Sequence, residues 1–234
     1  LSRDEFQMYK GNFKFVQGNF RNLEKLASEN GFTSVNGVFF DLGYSSSQLD
    51  SNLGLSFMSE QPLDMRLDKT LDVKASDLLN VLSEDQLSRI FFEYGGERLS
   101  RKYASAIVRH RNLKKLQTTK DLADLLASVA PPGYERGRIH PATRAFQALR
   151  IAVNDELGNL KSSLPQAARL LLPGGRMAVI SFHSLEDRVV KEFGRRVQPM
   201  MISLSKKPLN PSDSEVARNS RARSAILRVF ERVN

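Results

Sequence analysis

Asp41 is the first residue whose type and place suggest chemistry. It follows the apolar run Val38-Phe39-Phe40 and opens the polar string Leu42-Gly43-Tyr44-Ser45-Ser46-Ser47-Gln48-Leu49-Asp50. A carboxylate leaving the carboxyl end of a buried strand sits where open α/β sheets bind ligands. The string is too polar for a core, so it reads as a binding loop. Ser181-Phe182-His183-Ser184-Leu185-Glu186-Asp187 repeats the pattern after another apolar run. A lone His at a strand end is commonly a packed, hydrogen-bonded residue. Two polar strand ends in one sheet nevertheless suggest a shared cleft. His140-Pro141-Ala142-Thr143-Arg144 leads into an amphipathic helix, and Pro141 suits its first turn. His140 and Arg144 can face an anion at that helix N-terminus; simple capping accounts for the same residues. Pro62-Leu63-Asp64-Met65-Arg66-Leu67-Asp68 alternates charges. Local salt bridges explain it, and the functional reading places Arg66 near a phosphate.

Composition narrows the chemistry. The 234 residues contain no Cys and three widely spaced His, His110, His140 and His183. Disulfides and thiolate metal sites are excluded, and a zinc site is not expected. No apolar run approaches the roughly 20 residues of a membrane span, and the first residues carry no signal-peptide core. The expected location is cytoplasmic, or an organelle matrix for a eukaryotic source, with no membrane partner. The net charge is +9. Lys and Arg dominate Ser88–Lys120 and Lys191–Asn234, whereas Ser51–Leu87 is acidic. Clustered basic segments point to a polyanion, foremost nucleic acid; solvated helix faces would look the same. No GxG occurs, so the glycine-rich turn that dinucleotide and methyl-donor folds place after a first strand is absent. There is no phosphate-binding loop and no DPPY-type tetrapeptide. The chain lacks an initiator Met and reads as a fragment or processed form.

The elements that position these residues follow from periodicity. Phe13–Gln17 alternates and reads as a strand, Arg21–Asn30 as a helix stopped by Gly31, and Val35–Phe40 as a second strand. That is a β-α-β unit with parallel strands and a right-handed crossover. Between Ser51 and Gly137 the pattern is helical: Ala75–Leu82, Glu84–Glu93, Leu99–Arg111 and Lys120–Val129. Ser83 with Gln86, and Thr118 with Asp121, have capping-box spacing. Pro141–Leu172 reads as two helices broken near Gly158. Pro173-Gly174-Gly175 is a turn, Arg176–Phe182 a buried strand, and Ser184–Val197 a helix capped by Ser184. Met201–Ser205 and Ala225–Phe230 are final strands, suited to an edge hairpin with a long polar connection.

Together, DLGYSSSQLD, PLDMRLD, YGGERLSRKYASAIV, HPATRAFQALRIAVNDEL, PGGRMAVISFHSLEDRVVK and RARSAILRVFER closely resemble the RsmH (MraW) family. The resemblance runs from about Phe13 to the end. It implies an S-adenosyl-L-methionine-dependent methyltransferase acting on N4 of a cytidine in the decoding region of small-subunit (16S-type) ribosomal RNA. The implied fold is α/β: a Rossmann-like class I methyltransferase sheet, its N-terminal strands missing, with an all-helical insertion domain. Residues 1–50 and 138–234 would form the methyltransferase domain, and 51–137 the insertion that recognises RNA. The family's GxGGHS-type loop has no match, so a truncated chain with half a cofactor site is expected. For the remaining half, the resemblance assigns Phe20 beside the adenine, Asp41 as the acidic contact and Gln48 as the glutamine completing the pocket.

No catalytic residue is assigned outright. A hydrogen-bond acceptor near the cytidine amine would help; Asp41 competes for that role with its cofactor contact, and Ser181 and His183 are further candidates. Arg66, His140 and Arg144 remain substrate-side candidates. Arg98, Arg101, Lys102, Arg109 and Arg111, and later Arg218, Arg221 and Arg223, can meet phosphates. The expected partner is small-subunit rRNA or the assembling small ribosomal subunit, with a homodimer as one candidate oligomeric state. The competing reading is a non-catalytic RNA-binding module or remnant; a DNA amino-methyltransferase lacks its tetrapeptide.

Overall fold

The computed structural model describes residues 13–43, 52–137 and 139–233. The chain divides into two compact units, Leu1–Leu42 with Gly158–Asn234, and Gly43–Leu157.

The first unit is α/β. A 3-10 turn at Phe20–Asn22 leads into α1 (Leu23–Glu29), and β1 (Val35–Asp41) follows. The chain returns through β2 (Leu171–Ser181) and later β3 (Met201–Ser203) and β4 (Ile226–Arg232). The sheet order is β1-β2-β4-β3. β1 and β2 are parallel, with Phe40 facing Val179 and Asp41 facing Ile180. β4 runs antiparallel to both β2 and β3, so the sheet is mixed and its last two strands form the expected edge hairpin. β2 buries Met177, Val179 and Ser181, every second residue, as a sheet covered more fully on one face requires. The helix after it is α8 (Ser184–Arg196), numbered in chain order with those below. It buries Val189 and Val190. Gly194 lets it lie close to the sheet: a Cβ there would stand 2.4 Å from the Phe230 ring. Arg228 of β4 forks onto Asp187 of α8 at 2.6 and 3.1 Å, a bidentate pair that ties helix to strand. Arg232 of β4 donates to the carbonyls of Arg169 and Leu171.

The described part of the second unit is helical: α2 (Ala75–Val81), α3 (Glu84–Gly95), α4 (Ser100–Arg111), α5 (Thr119–Val129) and α6 (Thr143–Asn154). One isolated bridge joins Pro62 and Thr118. The capping boxes at Ser83/Gln86 and Thr118/Asp121 both form. Gly96 ends α3 at φ 60°, the left-handed position glycine tolerates. Leu79, Leu87, Phe91, Tyr103, Ile107, Leu122, Leu126 and Leu149 have no solvent exposure and form one apolar core.

Several sequence expectations need correction. Residues 13–17 are exposed and outside any strand. The first parallel pair is therefore β1 with β2. The helix break lies at Asp155, at φ 46°, rather than near Gly158, which falls inside α7 (Glu156–Leu170). Pro173-Gly174-Gly175 is part of β2, where the β1 register shifts between Val35 and Gly37. The polar connection before β4 carries α9 (Asp213–Arg218) and a 3-10 turn at Ser220–Ser224. The two compact units meet along the chain at 42/43 and 157/158. α6 belongs with the helices because it packs on α3, where a Cβ on Gly95 would meet the Arg144 carbonyl at 2.5 Å. Among the described residues, no helix is long and apolar enough to cross a membrane.

Candidate functional site

The two polar strand ends are neighbours. Asp41 faces Ile180 across the parallel ladder, and the Leu42 N–H extends it by donating to the Ile180 carbonyl at 3.2 Å. Both chain exits thus lie at the carboxyl edge of one sheet, where open α/β sheets form ligand crevices. The Asp41 side chain is exposed and has no hydrogen bond or ion pair among the described residues. One residue back, Phe40 is buried and meets Phe20 edge-on, with ring centroids 6.2 Å apart at 75°. Phe20 keeps 37% of its surface exposed, so part of the ring remains open to stacking. Gln48 lies outside the described residues.

On the β2 side His183 and Glu186 are engaged with one another. Ser181 is 1% exposed and lies within the β2–β4 ladder opposite Ile226. The N–H groups of Phe182 and His183 donate to Glu186 Oε2 at 2.8 and 3.3 Å. The Glu186 N–H in turn donates to His183 Nδ1 at 3.3 Å. His183, not the expected Ser184, is therefore the N-cap of α8. Since Nδ1 accepts, a neutral ring carries its proton on Nε2, which lies 3.2 Å from Glu186 Oε1 but makes no hydrogen bond among the described residues. Glu186, 4% exposed, is the buried carboxylate that organises this exit. The sequence leaves His183 either a packed, hydrogen-bonded residue or an acceptor candidate after Asp41, and the capping-box spacing to Glu186 is the signal for the first.

In the second unit, Arg66 is committed to its own loop. It forks onto Asp64 at 2.6 and 2.9 Å and donates to the carbonyls of Leu71 and Lys69 at 2.5 and 3.3 Å. This is the local salt bridge that the charge alternation suggested. The guanidinium beside Asp64 holds that carboxyl below its ordinary range, with burial opposing. His140 accepts the Ala142 N–H on Nδ1 at 3.2 Å and stacks on Phe57 with centroids 4.6 Å apart. Arg144 pairs with Glu135 at 3.2 Å and donates to the Gly96 carbonyl at 3.3 Å. His140 thus closes a local turn before α6, whose N-cap, Ala142, has no side-chain cap, and Arg144 bridges the α3 end to the loop before α6.

Two buried polar residues were missed. Glu97 is fully buried; one oxygen takes the Leu99 N–H at 2.7 Å and the Tyr134 hydroxyl, and the other has no hydrogen-bond partner. Burial first, and Glu97 next, push the phenols of Tyr134 and Tyr103 far above their ordinary range. Asn154, at the end of α6, donates to the Met65 carbonyl and accepts the Leu67 N–H, both at 2.8 Å. It holds Met65 at φ 61°.

The basic residues divide. Arg98, Arg101, Lys102 and Arg109 are exposed. Arg111 is not free for phosphate: it donates to the Leu79 and Leu82 carbonyls at 2.9 and 2.6 Å and caps the end of α2. In the first unit Arg218, Arg221 and Arg223 are exposed.

Comparison with known proteins agrees along the whole chain. The family model described as the MraW methylase family matches residues 1–233. The chain is 43% identical over 235 residues to the ribosomal RNA small subunit methyltransferase H of Persephonella marina, covering 99% of this chain and 80% of that protein. It is 47% identical to the protein of the same name from Syntrophotalea carbinolica, over 92% of this chain and 74% of the relative. The Nostoc sp. protein of that name is also 47% identical, over 99% and 74%.

Proposed function

The chain belongs to the MraW methylase family, and from that premise we propose that it methylates N4 of a cytidine in the decoding region of small-subunit rRNA, with S-adenosyl-L-methionine as donor. Membership makes it a methyltransferase of the small-subunit rRNA type. The observation that carries the finer reading is the pairing of Asp41 with Ile180, which brings two polar strand exits to one sheet edge.

The residues present suit the donor. An accessible aromatic ring at Phe20 can stack on a purine, and the unpartnered Asp41 carboxylate can accept hydrogen bonds or face positive charge. Gln48 is the third proposed contact. S-adenosyl-L-methionine, when bound, supplies an electrophilic methyl on a sulfonium.

The protein's task is then to present the acceptor. The exocyclic amine of cytosine is a poor nucleophile because its lone pair is delocalised into the ring. Holding it in line is worth several orders of magnitude in rate. A nearby acceptor favours rehybridisation of the amine. His183 does not suit that role in its capped tautomer, because Nδ1 is occupied and Nε2 carries the proton. Ser181 is buried in the ladder. Asp41 is the candidate left on the exits, shared between donor and amine. The target base must leave any stack to be reached. The second unit is proposed to bind the RNA, with Arg66 and His140 in structural support rather than in base contact. The setting would be the cytoplasm, on rRNA or the assembling subunit.

Isothermal titration with S-adenosyl-L-methionine tests the cofactor half. Binding should weaken at least about tenfold in Phe20→Ala and in Asp41→Ala, since each removes a contact worth about 1.4 kcal/mol or more. Unchanged affinity in both would remove these residues from the site.

A further inference from the structure

α4 carries a cationic stripe whose first-turn members its own helix disfavours. At 100° per residue, Arg101, Lys102 and Arg109 fall within about 100° of one another around the axis, and Arg98 stands just before the helix N-cap. All four are exposed, and their side chains have no hydrogen bond or ion pair among the described residues. The opposite face is core: Tyr103, Ala104 and Ile107 have no solvent exposure. α4 is also pinned at both ends. Glu97 takes the Leu99 N–H at its start, and Arg111 grips the α2 carbonyls at its finish. The stripe is therefore held in a fixed orientation.

Local energetics argue against this arrangement unless an anion joins it. The first turn of a helix favours acids, and α3, α5 and α8 each place acids there. α4 has none and carries Arg101 and Lys102 instead. A local rule broken without a compensating partner in the fold marks a functional surface.

We propose that the exposed face of α4, through Arg98, Arg101, Lys102 and Arg109, is a track for the phosphate backbone of the substrate RNA. The proposal rests on the rRNA methyltransferase reading above and names the surface that holds the RNA. Arg101 to Arg109 spans about 12 Å of helix axis, over which a helical strand presents about three or four phosphates. Contacts of this kind position the RNA without reading its sequence.

The test is a salt titration of binding with the full chain and an rRNA fragment containing the decoding region. In Arg101→Ala/Lys102→Ala/Arg109→Ala the log–log slope should become shallower by about 2, and an unrelated single-stranded RNA should show the same change. Arg101→Lys/Arg109→Lys should keep the wild-type slope. Arg101→Glu/Lys102→Glu should lose binding while its thermal midpoint stays at or above wild type. An unchanged slope in the triple Ala variant overturns the track, and so does a midpoint several degrees lower in the Glu variant. If the wild-type chain does not bind the decoding fragment at low salt, it is the rRNA reading that fails, not the placement of the stripe.

Discussion

His183 and Glu186 cap one another: the Glu186 N–H donates to His183 Nδ1 at 3.3 Å, and Glu186 Oε2 accepts the His183 N–H at 3.3 Å. The same oxygen takes the Phe182 N–H at 2.8 Å. One buried carboxylate thus shapes the exit from β2. Glu186→Ala should cost about 2–3 kcal/mol, because it leaves partly buried N–H groups unpaired. Glu186→Gln, which keeps an acceptor oxygen, should cost less than half of that. Urea unfolding of the two variants checks the order; equal losses would contradict the capping account.

Asn154 is predicted to be as sensitive, although it sits in the helical unit. It satisfies the Met65 carbonyl and the Leu67 N–H, and Met65 holds a left-handed backbone that a residue with a side chain rarely adopts. Asn154→Ala should destabilise by about 2–3 kcal/mol. Asn154→Asp should be no better, since it loses the donor to Met65. Denaturant midpoints measure both; a loss under about 0.5 kcal/mol in Asn154→Ala would show that the loop supports itself.

The Asp64–Arg66 pair predicts a pH effect. The Arg66 side-chain hydrogen bonds, opposed by burial, depress the folded pKa of Asp64. Its contribution is complete above the unfolded value and is lost as pH falls through the folded one, so the window lies below about pH 4. Asp64→Asn should be less stable than wild type at pH 7 and should lose less on acidification from pH 5 to pH 2. Parallel stability curves for the two proteins would show that the pair carries no such linkage.

What was legible in the sequence was local. Ser83 with Gln86 and Thr118 with Asp121 announce helix starts within four residues, and both boxes form. The apolar runs ending at Asp41 and Ser181 mark strands whose carboxyl ends meet. Tertiary choices were less legible. α6 joins the helical unit because Gly95 admits the Arg144 backbone, a close approach that no periodicity encodes. Phe13 to Gln17 alternates like a strand yet lies outside any strand. His183 is an uncommon N-cap, so Ser184 was the natural choice one residue late. Arg111 resembled its exposed neighbours, and only the α2 carbonyls reveal its structural task.

The most direct test of the central claim is transfer of labelled methyl from S-adenosyl-L-methionine to small-subunit rRNA, read by mass spectrometry of the digested nucleosides. The account predicts N4-methylcytidine arising from the decoding region, with a rate about 100-fold lower in Asp41→Ala. Methyl groups appearing only on another base or another position of cytidine, or no product from wild-type chain that binds both donor and RNA, would contradict it.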